Sequence, residues 1–434
     1  MRNAAYKILG TRFFATIPMS QIQHKATKAH IIAASKQLPP YIKPAPTINT
    51  QRISFLNTFI DDPINSFKSR GVYTKFKAEI DRKIAEGYEG KIIFSVASEG
   101  NHSQGAAKAS AYFAGWLKEN HPKITLECNI YMPSSSPEQK RNKTEEIGQG
   151  YANVITIEGI FDDAKRQAQK DIQSKEAAFF VSPFDDPYIV TGHGSVFPTV
   201  RDDFDYVVTG LGGGGLTAGA AAYFKDGTTK IIGVQPAWVP SMVAALCKEE
   251  PIELDSKFMQ ECFAQTNAPD FMKADGAIIA RAGDWTASIL EHYGTRVETA
   301  TPQQIAYVFK AYVNSHATNE DGSINYEKVP ELAGVLSLVG LYKQPELFAD
   351  KKVLCVLTGG NIAPERVDKV MEYAEQFKHF PDARTPFFDP NDTQSSLDSL
   401  KGWVSEKQLN EISKLNTIVT QVDTITHAPL QILK

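Results

Sequence analysis

The chain has 434 residues, of which 42% are hydrophobic and 22% charged, as is ordinary for a soluble globular protein. At about 150 residues per domain, this length predicts two or three domains. The 46 Lys and Arg residues nearly balance the 50 Asp and Glu residues. This balance argues against a nucleic-acid partner, because proteins that coat nucleic acids usually carry a strong basic excess.

The cysteines and the charge-free stretches exclude further classes of protein. None of the four cysteines lies in a C-x-x-C pair, which argues against a zinc ribbon or a dithiol redox site. Four thiols in so long a chain also do not resemble a disulfide scaffold, which favours a reducing compartment. The charge-free stretch 206–224 contains six glycines, so its hydrophobicity is too low for a transmembrane helix. We therefore expect no membrane partner.

The beginning of the chain contains no acidic residue before Asp61. Arg2, Lys7 and Arg12 alternate there with apolar side chains, as in the basic amphipathic helix of an organelle-targeting presequence. We therefore expect a presequence over residues 1–20 and a location in the mitochondrial matrix. The alternative is a cytoplasmic protein whose N-terminus lacks acids by chance.

The predicted elements begin with a short amphipathic helix over 27–38, which a Pro-Pro pair ends. From about residue 90, apolar runs typical of strands alternate with stretches typical of helices. The strands are predicted at 91–97, 124–132, 154–157, 177–181, 205–209, 230–235 and 352–357. The helices are predicted at 101–117, 138–147, 161–174, 216–224, 302–313 and 330–342. This alternation predicts an α/β fold with mostly parallel sheets flanked by helices.

The end of the chain has a different composition. Residues 381–399 are rich in Pro, Asp, Ser and Thr, which predicts a linker. Ser405 and Gln408 have the spacing of a capping box that opens a short helix. The role of the extension over 376–434 stays open at this point.

A glycine-rich loop, Gly210-Leu-Gly-Gly-Gly-Gly215, lies between a predicted strand and a predicted helix. Glycines let the backbone approach an anion closely, and the N-terminus of the following helix adds the positive end of its dipole. A phosphate is the ligand that this arrangement favours. A dinucleotide fold would require an acid at the end of the next strand, where Gln235 stands instead. The alternative is a tight turn that binds nothing.

Three further clusters accompany the loop in chain order. The first is Asn65-Ser-Phe-Lys-Ser-Arg-Gly71, and the second is Ala97-Ser-Glu-Gly-Asn-His-Ser-Gln-Gly-Ala-Ala107 at a strand-to-helix junction. The third, Leu357-Thr-Gly-Gly-Asn361, directly follows the last predicted strand. Ligand sites of α/β sheets lie at such carboxyl ends of strands.

Taken together and in this order, these motifs resemble the fold-type II pyridoxal-phosphate enzymes of the tryptophan synthase beta superfamily, especially the threonine/serine dehydratase and serine racemase group. The resemblance covers about residues 25 to 375 and extends to markers at 182–187, 233–236, 274–276 and 330–334. It implies two domains, each with a mostly parallel twisted sheet flanked by helices, and pyridoxal 5′-phosphate in the cleft between them. We expect a large cofactor-binding domain over 25–85 and 185–375 and a small domain over 86–184.

The resemblance also implies the roles of individual residues. Lys68 would hold the cofactor as a Schiff base and, once released, act as general base on the substrate α-proton. Thr358 would face the pyridine nitrogen, where a neutral hydroxyl favours loss of a β-substituent over transamination. Ser98, Asn101 and His102 would form the pocket for the substrate carboxylate. The other cofactor contacts implied are Phe67, Asn101 at the ring hydroxyl, Gly212, Gly213, Gly214, Gly215 and Leu216 at the phosphate, and Glu331 near the ring.

Glu99 departs from the family pattern. Dehydratases of this group usually have a small residue directly before the glycine of this loop. The racemase has a serine that serves as acid and base on the opposite ring face, and diaminopropionate ammonia-lyases have an aspartate. Glu99 is therefore a candidate second catalytic acid or base. The alternative is a carboxylate that points into solvent.

The sequence departs from the family pattern at two further positions and in one segment. Gln235 replaces a glutamate that belongs to a divalent-metal site in some relatives, so we expect no metal there. His193 stands where the family often has glutamine, and we interpret it as a structural histidine. The segment 55–61 replaces a Lys-x-Glu type of strand, which leaves the packing before Lys68 open.

The sequence thus predicts a pyridoxal-phosphate-dependent lyase that converts a small amino acid, threonine or serine by resemblance, into a 2-keto acid and ammonia. The alternatives are a diaminopropionate ammonia-lyase or racemase that uses Glu99, and a catalytically degenerate subunit that binds the cofactor. A homo-oligomer, specifically a dimer, is the expected assembly.

Overall fold

The computed structural model describes residues 26–98, 100–134, 136, 138–159 and 161–412. The predicted presequence and Glu99 lie outside this part of the chain. The described elements confirm the predicted α/β class.

The elements are numbered in chain order. The strands are β1 (Thr47–Asn49), β2 (Ile53–Asn57), β3 (Gly90–Ala97), β4 (Ile124–Pro133), β5 (Asn153–Ile157), β6 (Ala178–Val181), β7 (Tyr206–Gly210), β8 (Lys230–Pro236), β9 (Arg296–Ala300) and β10 (Val353–Leu357). The first helices are α1 (Lys28–Ser35), α2 (Lys68–Ala85), α3 (Asn101–Asn120), α4 (Glu138–Gly148), α5 (Phe161–Lys170), α6 (Pro187–Gly194) and α7 (Gly215–Phe224). The later helices are α8 (Ser241–Lys248), α9 (Ser256–Gln265), α10 (Asp284–His292), α11 (Pro302–His316), α12 (Leu336–Lys343), α13 (Pro364–Ala374) and α14 (Thr393–Ser399).

The described chain divides into two compact units. Unit 1 contains the residues up to Pro40, Lys68–Pro183 and Pro187–Pro198. Unit 2 contains Tyr41–Phe67, Phe184–Asp186 and the residues from Thr199 on. The expected boundaries placed the segments of α2 and α6 with the large domain. In the structure both belong to unit 1, because α2 packs against α3 and α6.

Unit 1 is built on a four-stranded parallel sheet in the order β5-β4-β3-β6. The apolar run of β3 forms the interior of this sheet, where Ile92, Phe94 and Val96 are completely buried. Strands that are covered on both faces require such continuous apolar sequences. The carboxyl end of β3 leads through Ser98 into α3, so the second sequence cluster lies at the edge of this sheet.

Unit 2 is built on a six-stranded sheet in the order β1-β2-β10-β7-β8-β9. Only β1 is antiparallel to its neighbour among these strands. Every residue of β10 is buried, as its central position requires. The carboxyl ends of β2, β10 and β7 lie side by side in this order, and they place the residues before Lys68, the Thr358 loop and the glycine loop along one edge.

The prediction of one helix over 330–342 is wrong at its start. A 3-10 turn, Leu332–Val335, precedes α12, which begins only at Leu336. The N–H of Glu331 donates to the carbonyl oxygen of Gly359 at 2.7 Å, so the segment after Pro330 is bonded to the loop that follows β10.

The prediction of a linker over 381–399 is also wrong. Phe388 exchanges two backbone hydrogen bonds with Val297 on β9, of 2.7 and 2.9 Å. The hydroxyl of Thr299 donates to the carbonyl oxygen of Pro386 at 2.6 Å. Since β9 is the last strand of its sheet, its outer backbone groups need partners, and this segment supplies them. Composition alone does not reveal that pairing.

A buried ionic cluster fixes the same segment. Glu298, which is 2% exposed, accepts hydrogen bonds from Arg296 at 2.8 Å, Lys343 at 3.1 Å and Gln344 at 2.9 Å. Lys343 donates in addition to the hydroxyl of Thr385 at 2.8 Å. The extension therefore forms part of unit 2 as far as it is described. The predicted capping box is confirmed at the N–H groups of residues 405 and 408.

None of the described helices combines the length and the apolar character that crossing a membrane requires.

Candidate active site

The glycine loop of unit 2 connects the end of β7 to the start of α7. Gly214 caps α7 with a φ of 99°, a backbone conformation that side chains other than glycine rarely adopt. A Cβ on Gly213 would lie 2.3 Å from Cγ of Phe184. The loop therefore depends on glycine for both its conformation and its packing.

The backbone N–H groups of this loop form a cluster of available donors. The first N–H groups of any α-helix lack intrahelical acceptors, and the first residues of α7 are Gly215 and Leu216. The described residues provide no acceptor for the N–H groups of residues 212–216. An anion such as a phosphate would satisfy these donors and would lie at the positive end of the α7 dipole.

A second loop of unit 2 places Thr358 at the end of β10. Thr358 is buried, and its hydroxyl makes no hydrogen bond to the described residues. Its backbone N–H donates to the carbonyl oxygen of Gly334 at 3.3 Å. Glu331 accepts the N–H of Asn361 at 3.1 Å, and a Cβ on Gly359 would lie 2.9 Å from its carboxylate. The structure thus brings Thr358 and Glu331 together.

The segment before Lys68, whose packing the sequence leaves open, is bonded to the Thr358 loop. The carbonyl oxygen of Asn65 accepts the N–H of Gly360 at 2.9 Å. The amide of Asn361 donates to the carbonyl oxygen of Ile64 at 2.8 Å, and Thr58 donates its hydroxyl to Leu357 at 2.9 Å. These bonds anchor the chain at residues 58, 64 and 65, the last of which lies three residues before Lys68.

Lys68 is the first residue of α2 in unit 1. Its Nζ donates to the carbonyl oxygen of Pro183 at 3.0 Å. His102, in the first turn of α3, makes a 3.0 Å hydrogen bond from Nε2 to the carbonyl oxygen of Val181. The two side chains thus approach the end of β6 and the residues directly after it. Burial, followed by the charge of Lys68, lowers the pKa of His102 to about 3.

The hydroxyl of Ser98 organises the start of α3. Its Oγ accepts the N–H of Gly100 at 3.1 Å and the N–H of Ser103 at 3.2 Å. Asn101 is the first residue of α3 and is half-buried. The structure therefore places Ser98, Asn101 and His102 close together at the start of α3 in unit 1.

His193, which the sequence indicates to be a structural histidine, lies directly against α2 in unit 1. It is completely buried on α6, and its Nε2 lies 2.5 Å from where a Cβ on Gly71 would be. Gly71 is one helical turn after Lys68. Burial, then the charges of Lys68 and His102, lowers the pKa of His193 far below its usual range. Residues 193 and 68 are distant in sequence, and no local pattern indicates their proximity.

Gln235 has a structural role. Its side-chain Nε2 donates to the carbonyl oxygen of Val239 at 2.8 Å, and its Oε1 accepts the N–H of Val243 at 3.2 Å. Both ends of the amide therefore fix the turn between β8 and α8. The described residues contain no cluster of three potential metal ligands.

The family of the chain follows from comparison with known proteins. A family model described as pyridoxal-phosphate dependent enzyme matches residues 58–359, more than half of the chain. The chain belongs to this family. The cofactor of the protein is therefore pyridoxal 5′-phosphate.

Individual relatives and solved structures agree with this assignment. The L-threonine dehydratase biosynthetic IlvA of Mycobacterium bovis is 29% identical over 368 residues, 82% of this chain and 76% of the relative. The processed form of threonine deaminase isoform 2 from Solanum lycopersicum shares the fold with a TM-score of 0.61 at 23% identity, covering 80% of this chain and 93% of that one. Maize serine racemase has a TM-score of 0.61 at 18% identity, covering 82% and 99%. These two likenesses show the fold alone.

The residues of this chain fit the cofactor. The donors of the glycine loop match a phosphate, and the unbonded hydroxyl of Thr358 can bond a pyridine nitrogen. Lys68 belongs to unit 1, whereas the glycine loop, Thr358 and Glu331 belong to unit 2.

The depressed histidine pKa values predict a pH-dependent stability. Below the unfolded-state pKa of about 6.5, the unfolded chain binds a proton at His193 that the native protein does not. Stability therefore falls as the pH decreases from 7.5 to 5.0, by about 2 kcal/mol for each such histidine. The variant His193→Gln should lack the part of this stability loss that comes from His193. Urea unfolding of the apoprotein at pH 7.5 and at pH 5.0 measures the loss in each protein.

His379→Gln is the matched control, since this histidine is exposed in the native protein much as it is in the unfolded chain. It should leave the difference between the two pH values unchanged. An equal loss of stability in wild type and His193→Gln would contradict the buried neutral state of His193.

Proposed function

We propose that the protein is an ammonia-lyase that removes the α-amino group and the β-substituent of a small amino acid, threonine or serine, and releases a 2-keto acid and ammonia. The family assignment and the threonine dehydratase relative support this reaction. The observation that carries the choice of reaction is the neutral hydroxyl of Thr358 after β10, which makes no hydrogen bond to the residues that the structure describes. A carboxylate there would favour a protonated pyridine nitrogen and hence transamination.

The cofactor, when bound, supplies an acceptor for the electrons released at the substrate α-carbon. In unit 1, Lys68 would hold the cofactor through Nζ and, with its amine free, would remove the substrate α-proton, and Asn101 would bond the ring hydroxyl. In unit 2, Phe67 and Glu331 would contact the ring, and residues 212–216 would hold the phosphate.

The start of α3 is proposed to bind the substrate carboxylate. Ser98 accepts two backbone N–H groups at Oγ, so its hydroxyl proton remains available to a carboxylate. A carbonyl oxygen only accepts, so Nε2 of His102 carries the proton that it shares with Val181, and its Nδ1 is an acceptor in the neutral ring. Nδ1 cannot donate to a carboxylate. We therefore assign the backbone N–H of His102, rather than its ring, to this pocket.

The assay that tests the reaction measures 2-keto acid and ammonia released from L-threonine and L-serine. We expect equal amounts of both products from wild type, and a loss of about 10³-fold or more in Lys68→Ala, because a positioned general base contributes up to about 10⁴-fold. Wild-type protein that binds the cofactor but releases no keto acid from any amino acid would contradict the proposal and favour a degenerate subunit.

The same assay decides the role of Glu99. D-serine and diaminopropionate are added as substrates, with Glu99→Ala and Glu99→Gln as the paired variants. Activity on either compound that both variants lose would make Glu99 a second catalytic acid or base. Equal rates in wild type and both variants would exclude it from the mechanism.

We also propose a homodimer in the mitochondrial matrix. The basic, acid-free start of the chain supports the location, and the family resemblance supports the dimer. N-terminal sequencing of the protein isolated from its cells should begin near residue 20. An intact Met1 would contradict the mitochondrial address, and a monomer in analytical ultracentrifugation would contradict the dimer.

A further inference from the structure

Residues 182–187 form one of the sequence markers, and the proposed reaction assigns them no role. Between two segments of unit 1, the chain contributes only Phe184–Asp186 to unit 2. Within unit 2, the ring of Phe184 packs directly on Gly213 of the glycine loop. This short segment therefore reaches the loop that is proposed to hold the cofactor phosphate.

Asp185 caps the N-terminus of α10 from about a hundred residues away. Its Oδ1 accepts the N–H groups of Trp285 at 2.9 Å and Thr286 at 3.2 Å, and its Oδ2 accepts the N–H of Asp284 at 3.1 Å. The residue at the cap position itself is Gly283, which has no side chain to donate or accept. A Cβ there would lie 2.4 Å from Oδ1 of Asp185, so glycine makes room for the distant cap.

Thr286, which this cap fixes, bonds the glycine loop directly. Its hydroxyl donates to the carbonyl oxygen of Gly213 at 2.6 Å. A Cβ on Gly214 would lie 2.8 Å from the Thr286 side chain, so the threonine also packs against the next residue of the loop. Thr286 is completely buried, and water therefore does not compete for the bond.

The orientation of one peptide group connects this bond to anion binding. In a trans peptide the C=O and the following N–H point in opposite directions. Because the hydroxyl of Thr286 bonds the C=O of Gly213, this C=O points toward Thr286. The N–H of Gly214, on the other side of the same peptide, therefore points away from Thr286. The N–H of Gly214 is one of the donors for which the described part of the chain provides no acceptor.

We propose that Asp185 and Thr286 are positioning residues that orient the Gly213–Gly214 peptide, so that the loop presents its N–H groups to the cofactor phosphate. This inference rests on the proposed phosphate-binding role of the glycine loop. Asp185 acts through Thr286, and neither side chain touches the phosphate.

The test compares binding of pyridoxal 5′-phosphate with binding of pyridoxal, which lacks the phosphate, to the apoprotein. We expect Thr286→Val to raise the Kd of pyridoxal 5′-phosphate about tenfold, as loss of one hydrogen bond predicts. The Kd of pyridoxal should change less than about twofold. Thr286→Ser keeps the hydroxyl and should behave as wild type. Titrations followed by absorbance and protein fluorescence measure both constants without any substrate.

The matched control is Thr295→Val, which also removes a buried threonine hydroxyl of unit 2, but one without a hydrogen-bond partner among the described residues. It should leave both constants unchanged. Asp185→Asn keeps the shape of the cap and loses its charge, and it should raise the Kd of the phosphorylated ligand about threefold. It provides the test if Thr286→Val does not fold.

Two results would overturn the inference. One is an unchanged Kd for pyridoxal 5′-phosphate in Thr286→Val, or in Asp185→Asn if only that variant folds. The other is an equal loss for both ligands, which would indicate a general effect on the unit. If wild type itself does not prefer the phosphorylated ligand, then the proposed role of the glycine loop fails, and this outcome is distinct from either result.

Discussion

The site of unit 2 depends on one constraint: five successive backbone N–H groups, at residues 212–216, have no acceptor among the described residues. Unpaired donors in a folded protein are costly unless a ligand or water satisfies them. The loop keeps them available because Gly213 packs against Phe184 and Gly214 adopts a left-handed conformation. A side chain at either position would force the loop into another shape.

The loops that follow three neighbouring strands of unit 2 lie along the same edge of its sheet as the glycine loop. β10 lies between β2 and β7, so the residues that follow these three strands are neighbours. The Thr358 loop bonds the segment before Lys68 through Gly360 and Asn361. Lys68 begins α2 three residues after Asn65, the last of these bonded positions. The covalent role that we propose for Lys68 benefits from such anchoring nearby, because its own side chain has four flexible bonds.

Two histidines of unit 1 lie within electrostatic range of Lys68. His102 and His193 are fully buried, and both keep their rings uncharged because burial and the charge of Lys68 lower their pKa. A neutral imidazole can fill space beside a lysine without adding a charge.

The sequence predicts the α/β class, seven of the strands β1 to β10, seven of the helices α1 to α14, the glycine loop and the capping box at 405 and 408, because each depends on residues close together in the chain. It does not predict β1, β2, β9, the helix α2 or the start of α12, since their form depends on distant partners such as Gly359. The extension over 381–399 resembles a linker by composition, yet it pairs with β9. Asp185 and Thr286, about a hundred positions apart, and His193 beside Gly71 are contacts that only the folded chain reveals.

We propose that Lys68 holds the cofactor, and one chemical measurement tests this directly. The enzyme loaded with pyridoxal 5′-phosphate is reduced with borohydride and digested, and its labelled peptide is identified by mass spectrometry. We expect a phosphopyridoxyl group on Lys68 alone. A label on another lysine, or no label in protein that has bound the cofactor, would contradict it.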